Sequence, residues 1–241
     1  MMQASEFQMF SDEALSPRGI ALLGYQRTRH ISRSAQKAWS NGNPTPLMQD
    51  AETHRRAIFD SVLGELHADH QHLAAALAKA QIEPKSVIDI GCGQALGDLF
   101  LLVDHDPSFL LIDIEETPEQ YHFWAETGAG YASLAEAAEL LRQNGAKRVR
   151  RINPRKTPEQ IDGLHADLVI STLSCGFHYP IPTYLPIFQK TLRMGGAVVL
   201  DLRRSYADEP DEALETLFNA AFLTEIPCSE PKAARILFTA A

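Results

Sequence analysis

Cysteine is scarce in this chain: Cys92, Cys175 and Cys228 are its only three, far apart and with no Cys-x-x-Cys pair. Such a set suggests neither a disulfide framework nor a cysteine-rich zinc site. No stretch approaches the ~18 consecutive apolar residues of a membrane-spanning helix, and Met1 to Phe10 has no basic region leading into an apolar one. Positive charge is not in excess either. Lys and Arg total 22 against 31 Asp and Glu, a formal net charge of -9, which removes generic attraction to nucleic-acid phosphates or an anionic membrane. The expected setting is reducing, soluble and cytoplasmic, with no membrane partner and with nucleic acid not the expected one.

What is present is apolar material for one sizeable core, with or without a small accessory lobe: 241 residues, 45% hydrophobic and 22% charged. The charge is uneven. Arg18 to Arg56 holds seven basic residues and two acidic ones, and Arg142 to Lys156 holds seven basic and none acidic. These stretches keep a phosphorylated or otherwise anionic small acceptor open. RNA-binding modules also present stacking aromatics, and the second stretch has none, so a solvated helix end and strand is its plainer reading.

Residues 1 to about 50 read as polar and irregular, a loop or lid punctuated by Gly42-Asn43-Pro44-Thr45-Pro46. Ile58, Val62, Leu66, Leu73, Leu77 and Ala80 then recur at helical spacing, predicting one helix between Ala51 and Gln81, stopped by Pro84. From there short apolar runs alternate with helical patterns. Strands are predicted at 86–90, 109–113, 148–152, 167–172, 197–202, 222–226 and 234–239; helices at 95–103, 133–144, 158–162, 183–192 and 211–221. Ser133-x-x-Glu136 is a capping box, and Asn144-Gly145 a helix stop. The expected fold is α/β, a mostly parallel sheet covered on both faces. The expected division is an N-terminal helical accessory or lid segment, 1–84, and a ligand-binding domain, 85–241.

In such sheets ligands sit beyond the carboxyl ends of the strands, so the turn after the first strand matters most. It reads Asp89-Ile90-Gly91-Cys92-Gly93-Gln94. Gly91 and Gly93 allow a sharp turn and close backbone approach, and the next helix aims its N-terminus at the same place. A pyrophosphate there would be repelled by Asp89. A ligand with a positive sulfonium and an ammonium suits that acid, and S-adenosylmethionine is such a ligand. Asp113 ends the second strand 24 residues later, near the ~20-residue spacing at which a carboxylate accepts ribose hydroxyls.

These residues resemble the class I S-adenosylmethionine-dependent methyltransferases from Ser86 to Ala241. The resemblance implies a Rossmann-like seven-stranded sheet whose last strand is antiparallel. It implies that Asp89, Gly91, Cys92, Gly93 and Gln94 hold the methionine part of the cofactor. It implies further that Asp113 holds the ribose and that Ile114 packs on adenine, with Asn153 near its edge. Ser171 and Leu173, in the segment 167–174, would lie under the methionine moiety. Gln94 stands where many members carry glycine, which should alter the turn only modestly. Gly128-Ala129-Gly130-Tyr131-x-Ser133-Leu134, Asn144-Gly145 and Ser174-Cys175-Gly176-Phe177-His178-Tyr179-Pro180 are similar to bacterial proteins described as sugar O-methyltransferases.

The expected activity is therefore O-methylation of a sugar or other small polar acceptor. The alternatives are an RNA or protein methyltransferase and a non-catalytic partner that only binds S-adenosylmethionine. Methyl transfer from a sulfonium is mostly alignment, with proton removal added for a hydroxyl acceptor. His178 is the candidate base, with Tyr179, Arg203 and Arg204 as candidate acceptor-binding residues. His67, Asp69, His70 and His72 have poor metal spacing and read as a solvated face, so no metal is expected. Tyr25, Arg27, Arg29, His30 and Trp39 suit a segment closing over the site, Cys92 is a small filler, and the oligomeric state, a homo-oligomer included, stays open.

Overall fold

The computed structural model describes residues 7–27, 30–115 and 133–240, with backbone only at Arg27. Arg29 and the Gly128-to-Tyr131 part of the narrower motif lie outside them. Seven strands form one sheet: β1 (Ser86–Ile90), β2 (Ser108–Ile112), β3 (Val149–Ile152), β4 (Leu168–Ser171), β5 (Ala197–Arg203), β6 (Ala221–Ile226) and β7 (Ala233–Ala240). Their order is β3-β2-β1-β4-β5-β7-β6. β1 to β5 pair in parallel, whereas β7 runs antiparallel to both β5 and β6. The strand order reverses between β1 and β4, the switch point of the sheet. Every predicted strand forms, with no end shifted by more than one residue.

The first fifty residues are not irregular. They fold into α1 (Pro17–Arg27), α2 (Arg33–Ser40) and α3 (Thr45–Thr53). α1 buries Ile20, Ala21, Leu22 and Leu23, each at most 6% exposed. Ser32 caps α2 by accepting the Ala35 N–H, and Ala35 and Trp39 are its buried residues. The single helix predicted from Ala51 is two, because His54 leaves helical geometry (φ −113°) between α3 and α4 (Arg55–Lys79). Arg55 and Arg56, part of the first basic stretch, are structural: Arg55 donates to Asp12 O and Leu15 O, and Arg56 to Phe10 O and Phe7 O. Their guanidiniums satisfy carbonyls of a non-helical segment that has no ladder of its own.

Alternation along the strands gives the sheet two apolar faces. Val87, Leu168, Ile170 and Val199 face the helices α1 to α4, α5 (Asp98–His105) and α6 (Leu134–Gln143). Ile88, Ile90, Leu110 and Val198 face α7 (Leu185–Arg193) and α9 (Glu212–Asn219), with the short α8 (Arg204–Asp208) between β5 and α9. The N-terminal helices share one continuous core with the first face. Ser133 caps α6 as predicted, accepting the Glu136 N–H, while the Glu136 carboxylate accepts the Ser16 N–H at 3.1 Å. The second basic stretch is solvated: Arg142, Lys147, Arg148, Arg150, Arg151, Arg155 and Lys156 are all exposed on or beside the edge strand β3, where charge discourages pairing with another sheet.

Candidate functional site

The alternation that buries Val87 also turns Asp89 onto the face covered by α4 and α5. Asp89 is 6% exposed, and its Oδ1 has no hydrogen-bond partner. Asp98, in the first turn of α5, is fully buried with neither oxygen bonded. Burial, then repulsion from Asp98 and Asp113, holds Asp89 well above the usual carboxylate range. Burial pushes Asp98 up to about 8. Buried polar groups are nearly always satisfied, so these orphaned oxygens mark a place built for something else.

The turn beside them has no room for a side chain at its first glycine. Gly91 sits at φ +75°, and a Cβ there would lie 1.9 Å from Ser174 Oγ. Its N–H donates to Ile112 O. Gly93 donates its N–H to Asp113 Oδ2 at 2.8 Å, and Asp113 Oδ1 accepts the Ile114 N–H. Asp113 thus joins the ends of β1 and β2. Gln94 does more than alter the turn: its buried side chain donates to Gly19 O at 2.9 Å, tying the turn to α1.

A cavity of about 190 Å³ lies against this turn, walled by Asp89, Gly91, Cys92, Gly93, Gln94 and Leu173. α1 roofs it with Leu22, Leu23 and Gln26, and α4 adds Leu66, Asp69, His70 and Leu73. Asp69 and His70 of the histidine-rich patch are therefore not solvated, whereas His72 is exposed as expected. Asp69 accepts from Ser229 N and Oγ at 2.8 and 3.1 Å. His70 lies 2.7 Å from Asp104 through Nε2 and stacks on Phe100, and its burial outweighs Asp104 and lowers its pKa. Among the described residues no group of His, Cys, Asp and Glu could hold a metal ion.

One charged residue of the wall, Arg235, and one behind it, Asp201, were not singled out in the sequence. Arg235 of β7, 5% exposed, donates from Nε and Nη2 to the two oxygens of Asp201 at 2.6 and 2.8 Å, and its Nη1 lies 3.3 Å from Asp69. Asp201 Oδ2 also accepts the Leu173 N–H, holding that residue at φ +52° in the floor of the cavity. The signal was a lone acid in Ala197–Arg203 and a lone base in Ala233–Ala240, two otherwise apolar strands that place them directly opposite.

The remaining candidates lie away from the cavity wall. Asn153 donates to Glu115 and accepts the Arg155 N–H. Ser171 is fully buried, donating to Ile90 O and accepting the Cys175 N–H, and so locks β4 to β1. Ser174 O accepts the N–H groups of Phe177, His178 and Tyr179, forming a tight loop past β4. His178 is exposed within it, and partial burial, then Arg203, lowers its pKa. Arg203 donates to Phe177 O at 2.6 Å and lies over the Phe177 ring, so it braces the loop. Arg204 turns outward to Pro231 O and Glu225. Tyr25 and Trp39 pack on each other with centroids 6.4 Å apart and, like His30, are not part of the cavity wall.

No protein-family model and no curated protein matches the sequence. Among solved structures, a ribosomal protein L11 methylase from Lactobacillus delbrueckii subsp. bulgaricus gives a TM-score of 0.50 at 16% identity, over 72% of this chain and 79% of that one. An O-methyltransferase family protein from Burkholderia thailandensis gives 0.44 at 10% identity, over 80% and 62%. The bifunctional kinase-methyltransferase WbdD gives 0.42 at 19% identity, over 74% and 38%. This chain spans less than two thirds of the length of the last two. With its strand order, its antiparallel β7 and the likeness to the first of these structures, the chain has the class I methyltransferase fold.

Proposed function

We propose that this protein is an S-adenosylmethionine-dependent methyltransferase acting on a hydroxyl of a sugar or other small polar acceptor. The observation that carries the reading is Asp89: a buried carboxylate with an unpartnered oxygen, on the wall of a cavity beside a turn whose Gly91 admits no side chain. An unbonded acid at that point fits an ammonium or sulfonium and opposes a pyrophosphate.

Asp89 and the backbone of Gly91, Cys92, Gly93 and Gln94 would hold the methionine part, with Leu173 beneath it. Asp113 would take the ribose hydroxyls, and Ile114 and Asn153 would border the adenine. Ser171 serves by holding the ends of β1 and β4 together. S-adenosylmethionine, when bound, would supply a methyl carbon activated on a positive sulfur for in-line transfer to the acceptor oxygen, with the sulfur leaving as a neutral thioether. The hydroxyl proton goes to His178, whose lowered pKa keeps its ring unprotonated at neutral pH. Tyr179 completes the acceptor side, and Arg203 positions the loop rather than neutralising an anion. No described helix is long and apolar enough to cross a membrane.

Incubation with methyl-labelled S-adenosylmethionine and a panel of glycans and small hydroxylated metabolites, with RNA and protein controls, tests this reading. Label in a hydroxylated small molecule supports it. Label only in RNA or protein replaces the acceptor class, and binding without transfer to any acceptor leaves a cofactor-binding partner protein.

A further inference from the structure

The cavity runs on past the glycine turn. Its wall also takes Asp69 from α4, Ser229 from the loop between β6 and β7, and Arg235 from β7. β7 lies three strand positions from β1 in the sheet, roughly 14 Å at about 4.8 Å per strand, so this end is separate from the turn beside Asp89. Its side chains form one bonded group: Asp69 accepts from Ser229 N and Oγ, its Oδ2 lies 3.3 Å from Arg235 Nη1, and the guanidinium gives Nε and Nη2 to Asp201. Two carboxylates around one guanidinium leave a net negative charge. No other cation offsets it: Arg203 and Arg204 are turned to Phe177 O, Pro231 O and Glu225, and no lysine lines the cavity among the described residues.

We propose that this end of the cavity is the acceptor subsite, and that it takes a hydroxylated group carrying no negative charge. The inference rests on the methyltransferase reading above and narrows its acceptor. A guanidinium has five N–H groups and a carboxylate about four acceptor positions, so Arg235 and Asp69 keep hydrogen-bonding capacity beyond the contacts they share, and Ser229 Oγ keeps its lone pairs after donating to Asp69. Donors and acceptors stand side by side, and a hydroxyl matches both because it donates and accepts. A phosphate or carboxylate would instead meet Asp69 and Asp201 with their one cation already shared, and like charges close together out of water repel strongly. A flat aromatic acceptor finds no platform: among the described residues the wall has no Phe, Tyr or Trp, and the His70 ring is stacked on Phe100. The candidate base is close by. Arg203 N–H donates to Gly176 O and Arg204 N–H to Lys232 O, so the end of β5 carries the loop of His178 and the loop of Ser229 together.

Methyl transfer from labelled S-adenosylmethionine by the full chain, measured on matched sugars, decides this: the methyl glycosides of glucose, galactose and mannose, each beside its 6-phosphate and its uronate. The expected result is that a neutral sugar is labelled with kcat/KM at least about tenfold above its anionic counterparts. Asp69→Asn should raise the KM for that sugar about tenfold and narrow the preference, while S-adenosylmethionine affinity, read by calorimetry, stays within about twofold. Ser229→Ala should raise the same KM by a smaller factor, and it carries the test should Asp69→Asn not fold. Equal or faster labelling of a phosphate or uronate overturns the proposal and leaves the methyltransferase reading standing. Unchanged KM in both variants, or a loss of donor affinity as large as the loss for the acceptor, also overturns it. Binding of S-adenosylmethionine with label in none of the sugars overturns the proposal and the acceptor class together.

Discussion

Replacing Asp98 by Asn should stabilise the ligand-free protein, by an amount that grows with pH. Asp98 is fully buried, makes no hydrogen bond and has its pKa raised by burial from 3.8 to about 8. Between those two values the folded chain keeps a proton on Asp98 that the unfolded chain has released. The folded state thus binds more protons, and unfolding free energy falls as pH rises, by at most about 1.4 kcal/mol per pH unit. The contribution of this group is fully present below about pH 4 and is lost by about pH 8. At pH 7 the ceiling is roughly 4 kcal/mol, three pH units of that slope. Asn has nearly the shape of the protonated acid and does not ionise. Urea unfolding of wild type and Asp98→Asn at pH 5, 6, 7 and 8 should therefore give midpoints that lie closest at pH 5 and diverge steadily above it, with the variant more stable. Parallel pH profiles would show that Asp98 does not hold a buried proton and would remove the electrostatic description of this side of the cavity.

Arg235→Met should destabilise the fold by about 3 to 5 kcal/mol, because Asp201 and Asp69 lose the one cation between them; thermal unfolding reads this, and a loss below about 1 kcal/mol would show that the network contributes little. Asp113→Ala removes the acceptor for Gly93 N–H and Ile114 N–H, and should weaken S-adenosylmethionine binding by about 1 to 3 kcal/mol in a calorimetric titration; unchanged affinity would remove its role. His178→Ala should lower turnover by roughly 10² to 10⁴. A base must be unprotonated to act and its pKa is lowered, so the wild-type rate should rise with pH through a step below the usual 6.5 and be level at neutrality. The variant should lose that step, and retention of it would assign the titration to another group.

What the sequence revealed divides along the range of the interactions involved. The glycine turn, Asp89 and the Ser133 cap are legible because each is decided within a few residues: a positive φ, an acid before a turn, a side chain bonding an amide three positions on. Asp113 is legible from its place at the end of a strand. The N-terminal helices are not, although Ile20 to Leu23 is a continuous apolar run, because their burial depends on α4 and on Arg55 and Arg56 capturing carbonyls some forty residues away. The same limit hides the cavity wall. Asp69 and His70 look solvated on an isolated helix, and their burial comes from α5 and the loop before β7. Asp201 and Arg235 could have been paired from their charges on two apolar strands, but only once those strands were known to be neighbours. Arg203 and Arg204 show the reverse error: a cationic pair beside a site suggests an anionic ligand until Phe177, Glu225 and the Pro231 carbonyl take it up.

The central claim is that the cavity beside Gly91 and Gly93 receives S-adenosylmethionine, and a calorimetric titration of the purified full-length chain tests it most directly. Saturable one-to-one binding of S-adenosylmethionine, markedly weakened by Asp89→Asn and with no binding of NAD or NADP, is the predicted result. Binding of NAD or NADP in its place, or affinity for S-adenosylmethionine that Asp89→Asn leaves unchanged, would contradict it.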